Sequence, residues 1–281
     1  MKRLHSTKRF LIYLMTTVVI ANIALIIVYA LIEPHEPKDL PVRDYAEIHS
    51  EGVLRAVTEY NMTDYYIAND TASGFHYELI RCFAQTHGLQ LEIIPEMSFE
   101  KRLNGLWDTT FDVIAYGIPV TRGLTDTVAF TMPITRSKQV LVQRNRTTDS
   151  LKYIAGQLDL AQKTLYVAQG SPVVNRIRNL SNEIADTIYV KEIEKYGQEQ
   201  LLALVANGDI DYAVVSEQVA ATAIDSFPQL DISTGISFTQ FYAWATRKSA
   251  PALCDSLNVW LKDYMQTAEY DKLYHKYYPN H

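Results

Sequence analysis

Two loops of the sequence carry residues whose chemistry could hold a small polar molecule. The first loop, "GIPVTRG", directly follows an apolar stretch with strand character and offers Gly117, Thr121 and Arg122. A glycine lets a ligand approach backbone N–H groups, a threonine hydroxyl adds a donor, and an arginine can bind an anion. We therefore expect these three residues to contact a ligand. The alternative is an ordinary turn with a solvated arginine.

The second loop opens a predicted helix. Gly170 and Ser171 stand directly before Pro172, a residue that favours the first turn of a helix. The free N–H groups and the positive dipole end at such a terminus attract anions. Both residues are candidate ligand contacts, although Ser171 could equally serve as an N-cap.

Tyrosines and two polar residues accompany the same predicted strand ends. Aromatic faces can bury the carbon atoms of a ligand, and their hydroxyl groups can orient it. For the adjacent pair Tyr65 and Tyr66, simple packing is an equal alternative. The remaining candidates for ligand contact are Tyr116, Ser216, Glu217 and Tyr242.

Motifs for catalysis or for metal binding are missing from the sequence. The seven histidines show no paired metal-ligand spacing, and we interpret His76, His87 and His275 as surface or boundary residues. The sequence has no Gly-x-Ser-x-Gly elbow and no Gly-rich phosphate loop. We expect no catalytic residue, no metal and no cofactor, and hence no enzyme.

The elements that position these loops alternate between strands and helices. "VLRAVT", "LQLEII" and "FDVIAYG" are predicted strands separated by helices, and the order recurs around "KTLYVAQG" and "DIDYAVVSE". Such alternation predicts mainly parallel sheets with helices on both faces. The predicted fold is therefore α/β with two lobes facing a central cleft, where open α/β sheets bind ligands.

The predicted domain boundaries follow from this reading. Residues 33–50 contain prolines and mixed charge and indicate a stalk, whereas residues 51–281 form the binding domain. Lobe 1 should comprise about 51–139 and 241–281, and lobe 2 about 144–237. Hinge strands between the lobes would permit capture by closure.

The N-terminal region predicts a membrane anchor. Residues 1–9 hold four basic side chains, and residues 10–32 hold no charge. An apolar run of this length can span a membrane, and the basic flank favours a cytoplasmic N-terminus. We expect an uncleaved signal anchor in the cytoplasmic (inner) membrane, with the binding domain outside; a cleaved signal peptide is the alternative.

Composition constrains the partners. The formal net charge is −6, and the region after residue 32 is still more acidic because the basic tail lies before it. An acidic surface argues against nucleic acid as a partner. Cys82 and Cys254 are the only cysteines. The predicted compartment would permit a disulfide between them, but two buried thiols are the alternative.

The order of several segments resembles a known family. "LRAVTEY", "GFHYELIRCFA", "GLQLEIIPE", "FDVIAYGIPVT", "VAFTMPI" and "SKQVLVQR" occur as in the extracellular solute-binding protein family 3, whose fold is the periplasmic-binding-protein type II fold. Within it, the solute-binding-like domain of membrane-bound lytic transglycosylase F is similar through "TDYYIAND", "VAQGSPVVNRIRNL", "GDIDYAVVSEQVA" and "FYAWATRK". The resemblance covers roughly residues 51–281.

Two departures qualify what the resemblance implies. The family's amino-acid binders clamp a ligand with an arginine and an aspartate, but Leu124 and Ser216 stand at those positions here. Arg122 and Glu217 lie beside them as displaced substitutes. The catalytic domain of the transglycosylase, with its Glu-Ser step, also has no counterpart in this sequence.

The resemblance implies capture of a small polar ligand, an amino acid or a peptidoglycan-derived peptide, for transport or sensing. The expected partners are the ligand, the inner membrane through residues 10–32, and a transporter permease or a peptidoglycan enzyme. Two alternatives stay open: a divergent lytic transglycosylase acting in peptidoglycan turnover, and a ligand-free module that binds another protein.

Overall fold

The chain folds around two separate mixed β-sheets. The computed structural model describes residue 22 and residues 43–278. The first sheet has the strand order β4-β1-β5-β13-β6, with β7 also paired to β13, and the second has the order β10-β9-β11-β8-β12. Each sheet with its helices forms one lobe, which confirms the predicted α/β two-lobed fold.

Lobe 1 is built mostly from the N-terminal part of the described chain. Strand β1 is parallel to both β4 and β5, and β13 returns antiparallel to β5. Its elements are α1 (Tyr45–Glu51), β1 (Val53–Thr58), β2 (Tyr66–Ala68), β3 (Thr71–Ser73), α2 (Phe75–Thr86), β4 (Gln90–Pro95), α3 (Phe99–Trp107), β5 (Val113–Pro119), α4 (Arg122–Thr125), β6 (Ala129–Phe130), β7 (Thr135–Ser137), β13 (Gln240–Thr246), α8 (Pro251–Tyr264) and α9 (Ala268–Tyr277).

Lobe 2 repeats this plan with the middle of the chain. Strand β9 is parallel to β10 and β11, and β8 runs antiparallel to β11. Its elements are β8 (Gln139–Arg144), a 3₁₀ turn (Gln157–Leu160), β9 (Thr164–Ala168), α5 (Val173–Glu183), β10 (Tyr189–Ile193), α6 (Gln198–Asn207), β11 (Tyr212–Ser216), α7 (Glu217–Ala223), a 3₁₀ turn (Ile224–Ser226) and β12 (Leu230–Asp231).

Separate hydrophobic cores hold the two lobes. In lobe 1, Trp244 of β13 is fully buried and packs with side chains of α2, α8 and α9. In lobe 2, α5 and α6 bury apolar side chains on different faces of the sheet, in two distinct clusters. Each lobe excludes water from its own core, and this burial stabilises the fold of the lobe. The contact between the lobes is therefore not needed to stabilise either one.

The chain crosses between the lobes twice. It leaves β7 after Ser137 and enters β8 at Gln139, and it returns between β12 and β13. Both crossings lie next to the C-terminal ends of β5 and β11, where the predicted ligand loops begin. This topology sets lobe 1 and lobe 2 on opposite sides of one cleft.

Two further sequence-based predictions concern the membrane span and the two cysteines. The predicted span at residues 10–32 lies, apart from Asn22, outside the described residues. Among the residues that the structure describes, no helix is both long and apolar enough to cross a membrane. Cys82 and Cys254 are both free thiols, which answers the question that the sequence left open.

Candidate ligand-binding cleft

A cavity of about 430 Å³ lies between the two lobes. One wall comes from α3 and α4 of lobe 1, and the other comes from the β9–α5 loop, α5 and β10 of lobe 2. Its lining combines apolar and charged side chains: Phe99, Glu100, Leu103, Thr121, Gly123, Leu124, Gly170, Ser171, Pro172, Val174, Asn175, Arg178 and Glu192. Sites for small ligands have volumes of this order and the same mixture of surfaces.

The lobe-1 wall is positioned by two helix starts. Ser98 caps α3, because its hydroxyl oxygen accepts a hydrogen bond from the Lys101 N–H at 3.3 Å. Phe99, Glu100 and Leu103 then share one face of the helix. Thr121 stands at the N-cap of the short helix α4 and brings Leu124 into the lining. The wall is therefore apolar, with one carboxylate at its edge.

The lobe-2 wall depends on a glycine. Gly170 has a φ of +70°, and a Cβ placed on it would lie 3.3 Å from the backbone N of Glu100 in lobe 1. Its own N–H donates to Glu192 Oε2 at 2.7 Å. A residue without a side chain is thus needed both for the turn and for the close approach of the two lobes.

On the hinge side of the cleft the lobes touch through a different set of residues, which we call the latch. Glu59 follows β1, and its Oε1 accepts a hydrogen bond at 3.3 Å from the N–H of Gln198, the first residue of α6. In return, Glu199 Oε2 accepts from the Met62 N–H at 3.0 Å. The latch comprises Glu59, Met62 and Thr63 of lobe 1 and Gln198, Glu199 and Thr222 of lobe 2.

A buried ion pair supports the latch. Arg102 Nη2 lies 3.1 Å from Glu59 Oε2, and both side chains are 2% exposed. The guanidinium also donates to the Glu96 carbonyl at 2.5 Å and lies over the ring of Tyr116, 4.4 Å from its centroid. Burial raises the pKa of the Tyr116 hydroxyl well above its usual value. The protein's own arginine therefore covers this aromatic face.

Next to the ion pair, Asp64 and His76 form a buried contact of 3.5 Å between Oδ1 and Nε2. Burial, helped by the nearby Glu59, raises the pKa of Asp64 to about 7, while burial lowers the pKa of His76 to about 3. The Trp244 indole N–H donates to His76 Nδ1 at 2.8 Å, so the neutral ring carries its proton on Nε2, facing Asp64. The contact therefore joins the Asp64 carboxyl group to a neutral histidine and is not an ion pair.

The interpretation of His76 as a surface or boundary residue is thus wrong. Its side chain is 1% exposed because Phe75 and Trp244 pack on its ring. A histidine near the start of an amphipathic helix gives no indication of its partner in a distant strand.

Polar side chains also connect the two crossings. Gln139 Nε2 donates to the Tyr242 hydroxyl at 2.6 Å, and burial raises the pKa of Tyr242 to about 12. The hydroxyl oxygens of Ser137 and Ser216 lie 3.2 Å apart. These bonds join β7, β8, β11 and β13 at the hinge.

The predicted site residues fall into three groups in the structure. Thr121, Gly170 and Ser171 line the cavity. The second group lies along the hinge and the latch and consists of Tyr116, Gly117, Ser216 and Tyr242.

The third group lies outside the cavity lining. Tyr65 is 8% exposed and packs edge-on against Tyr77, and Tyr66 belongs to the β2–β3 hairpin. Arg122 is exposed and is not part of the cavity lining, and Glu217 pairs with Lys138 at 3.2 Å. Their roles as ligand contacts stay predictions.

The charged residues of the cavity and of the latch escaped the sequence analysis, and so did Asp64 beside them: Glu59, Asp64, Glu100, Arg102, Arg178, Glu192 and Glu199. Glu59 directly follows the first predicted strand, so its position at a strand end was a usable signal. Arg102 and Arg178 lie on amphipathic helices, where exposed arginines are common, and only the packing of the lobes distinguishes them. Within residues 43–278, no group of three or more His, Cys, Asp or Glu side chains could hold a metal ion.

Comparison with proteins of known sequence finds relatives that this chain matches over part of their length. "Membrane-bound lytic murein transglycosylase F" of Photobacterium profundum is 28% identical over 260 residues, which cover 90% of this chain and 49% of that protein. The protein of the same name from Desulfosudis oleivorans is 27% identical over 83% of this chain and 50% of its own length. The chain thus spans about half the length of these curated relatives.

Solved structures of similar fold are binding proteins for amino acids. A mutant of ArgBP from T. maritima superposes with a TM-score of 0.72 at 26% identity, covering 84% of this chain and 99% of that one. The arginine-bound form of a truncated ArgBP from T. maritima gives a TM-score of 0.67 at 25% identity, covering 78% and 99%.

A family model establishes the family. The model for bacterial extracellular solute-binding proteins, family 3, matches residues 54–280, which include both lobes, both crossings and every wall of the cavity. The predicted resemblance is confirmed, and this chain belongs to the bacterial extracellular solute-binding proteins, family 3.

Proposed function

We propose that the chain is a membrane-tethered, extracytoplasmic binding protein that captures a small polar solute when its lobes close. The observation that carries this proposal is the cavity of about 430 Å³ whose walls come from both lobes. A ligand in it contacts α3 and α5 at once, so its binding energy favours the closed arrangement over the open one.

The ligand class follows from the relatives. ArgBP from T. maritima binds arginine, and the curated relatives are named for an enzyme of murein. An amino acid or a peptidoglycan-derived peptide therefore fits the proposal, and Thr121, Gly170 and Ser171 are the proposed contacts. Transport and sensing both use such capture.

The tether rests on the sequence of residues 10–32, an uncharged run between a basic tail and acidic residues. A helix of that composition inserts with its basic flank in the cytoplasm. In spheroplasts, we expect a protease to reach the binding domain while the protein stays in the membrane pellet. Recovery of a soluble periplasmic form would show that the segment is a cleaved signal peptide.

We infer that the chain binds and does not cleave. The structures it resembles at 25–26% identity are binding proteins. The discriminating experiment incubates the purified full chain with sacculi. Release of anhydro-muropeptides would establish the alternative, a divergent transglycosylase.

The central experiment is calorimetric titration of the full chain in detergent with amino acids, arginine included, and with short peptides and muropeptides. We expect saturable binding of at least one compound and a shift of the unfolding temperature by the same compound. If no compound in the panel binds, the ligand-free alternative, a module that binds another protein, takes the place of this proposal.

A further inference from the structure

We propose that the cavity binds a short peptide with free termini, its ammonium group near Glu100 and Glu192 and its carboxylate at Arg178. This assignment rests on the proposed function and deepens it. The family's amino-acid binders take the ligand carboxylate on lobe 1 and the ammonium group on lobe 2. Here the one basic residue of the cavity lining belongs to lobe 2, and Glu100 supplies a carboxylate from lobe 1.

Arg178 is available for an anion. It is exposed, and no ion pair or hydrogen bond engages its guanidinium within the described part of the chain. The other arginine of the same helix, Arg176, is bound to Glu183 at 2.6 Å and to the Ile236 carbonyl at 2.9 Å. Of the two, therefore, only Arg178 can exchange water for a ligand carboxylate.

The position of Arg178 fits this role. Val174, Asn175 and Arg178 share one face of α5, because residues three and four apart lie above one another on a helix. All three line the cavity. The Asn175 amide adds hydrogen-bonding capacity beside the guanidinium.

The opposite end of the cavity is negative. The backbone of Glu100 lies next to Gly170, since a Cβ on that glycine would be 3.3 Å from the Glu100 N. The N–H of Gly170 binds Glu192 Oε2. The Glu192 carboxylate and the backbone of Glu100 thus both lie against Gly170, and both acidic residues line the cavity. Among the described residues, neither Glu100 nor Glu192 has a cationic partner. An ammonium group between them would link the lobes.

The backbone positions that carry the two charged ends lie more than one helical turn apart. Gly170 precedes α5, and Arg178 lies more than one turn into it, so their separation along the axis exceeds about 5.4 Å. An α-amino acid carries its ammonium and carboxylate groups on a single carbon. A peptide gains about 3.3–3.6 Å per extended residue and matches the span with two or three residues. Leu103 and Leu124 offer apolar surface to its side chains.

The test is calorimetric titration of the full chain with trialanine, N-acetyl-trialanine, trialanine amide, L-alanine and L-arginine. We expect trialanine to bind and each blocked peptide to lose about 10- to 100-fold in affinity, the contribution of one charge-assisted contact. Arg178→Gln should weaken trialanine by a similar factor and leave trialanine amide unaffected. Glu100→Gln should weaken the binding of trialanine, whose N-terminus is free, by a similar factor. It should leave the binding of N-acetyl-trialanine unaffected.

Arg146→Gln and Glu194→Gln are the matched controls, since both residues are exposed and outside the cavity lining. Retained unfolding temperatures show that the variants fold. If an amino acid binds and trialanine does not, or if trialanine affinity is unchanged in Arg178→Gln, this assignment is wrong while the proposed function stands. If nothing in either panel binds, the proposed function fails, and this assignment fails with it.

Discussion

The latch and the cavity are two contacts between the same lobes, and they use charge in opposite ways. In the latch, Glu59 is paired with Arg102 and capped onto α6, so the protein itself satisfies its carboxylate. In the cavity, Glu100 of lobe 1 and Arg178 of lobe 2 are both exposed lining residues, and neither has an ion-pair partner among the described residues. Side chains of the same types are buried and paired in one contact and exposed in the other.

The two contacts therefore have different roles. The latch contributes to the affinity of the lobes for each other, and the cavity contributes to selectivity for a ligand. A buried ion pair fixes one arrangement, at the cost of desolvating both charges. Exposed charges keep their hydration until a ligand replaces it, and they discriminate by charge. The latch therefore sets how the lobes meet, and the cavity sets what they hold.

The largest expected effect comes from breaking the latch ion pair. Arg102→Ala leaves Glu59 buried without its cation, and removing one partner of a buried pair costs about 3–5 kcal/mol. We expect the free energy of unfolding to fall by that amount in urea titrations. Lys152→Ala is the control, because that lysine is 54% exposed beside Asp211 and exposed pairs contribute about 0–1 kcal/mol. An equal loss of unfolding free energy in both variants would contradict the contrast between the buried and the exposed ion pair.

The next effect concerns pH and Asp64. Its pKa rises from 3.8 to about 7 on folding, so the stability it contributes is present below about pH 4 and is lost as pH rises to about 7. His76, whose pKa falls from 6.5 to about 3, acts oppositely: its contribution is present above about pH 6.5 and is lost as pH falls towards about 3. The two trends oppose each other over most of this range.

Asp64→Asn should remove one of these trends. Relative to the unsubstituted chain, its free energy of unfolding should increase from about pH 4 to about pH 7 and level off above, by on the order of a few kcal/mol. Urea titrations at several pH values measure this difference. A difference that does not depend on pH would show that Asp64 ionises normally in the fold.

A smaller effect is expected at the contact of the lobes beside the cavity. Gly170→Ala places a side chain in the left-handed region, at a cost of about 1–2 kcal/mol, and crowds the backbone of Glu100. Gly208→Ala is matched, since its φ is +83° and its Cβ would meet only Arg144 Nη1 at 3.9 Å. Both variants should lose similar stability, but only Gly170→Ala should bind a verified ligand more weakly. Equal ligand affinities of the two variants would show that the lobes close without the close contact between Gly170 and the backbone of Glu100.

Much of the fold was readable from the sequence because local pattern and tertiary structure agree. The predicted strand "VLRAVT" is β1, and Ser98 caps α3 as its hydroxyl and position indicate. Strand β10 was missed because it is a mostly exposed edge strand whose charged residues hide its alternation. The hairpin of β2 and β3 was missed because each strand has three residues.

The site was less predictable because it depends on how the lobes meet. The sequence drew attention to Gly170, Ser171 and Thr121 because loops at strand ends are local features, and all three line the cavity. That they contact a ligand stays a prediction. The pairing of Glu59 with Arg102 joins residues that lie 43 positions apart, and Glu100 reaches Gly170 only across the cleft. No periodicity or spacing encodes such a contact, so the charged residues of the cleft had to come from the structure.

The smallest effect is expected at Arg122. Its measurement distinguishes Arg122 from Arg178 as the residue that binds an anionic group of the ligand. The sequence made Arg122 the candidate for an anionic group, whereas the structure leaves it exposed and puts Arg178 in the cavity lining. An exposed charge beside a site contributes about 0–1 kcal/mol, so Arg122→Ala should change the dissociation constant of a verified ligand by less than about fivefold. Titration at low and high salt is the sharper measurement, since any residual effect of Arg122 should vanish at high ionic strength. A loss of tenfold or more that persists at high salt would place Arg122 on the ligand, and the sequence-based hypothesis would then be preferred over the assignment to Arg178.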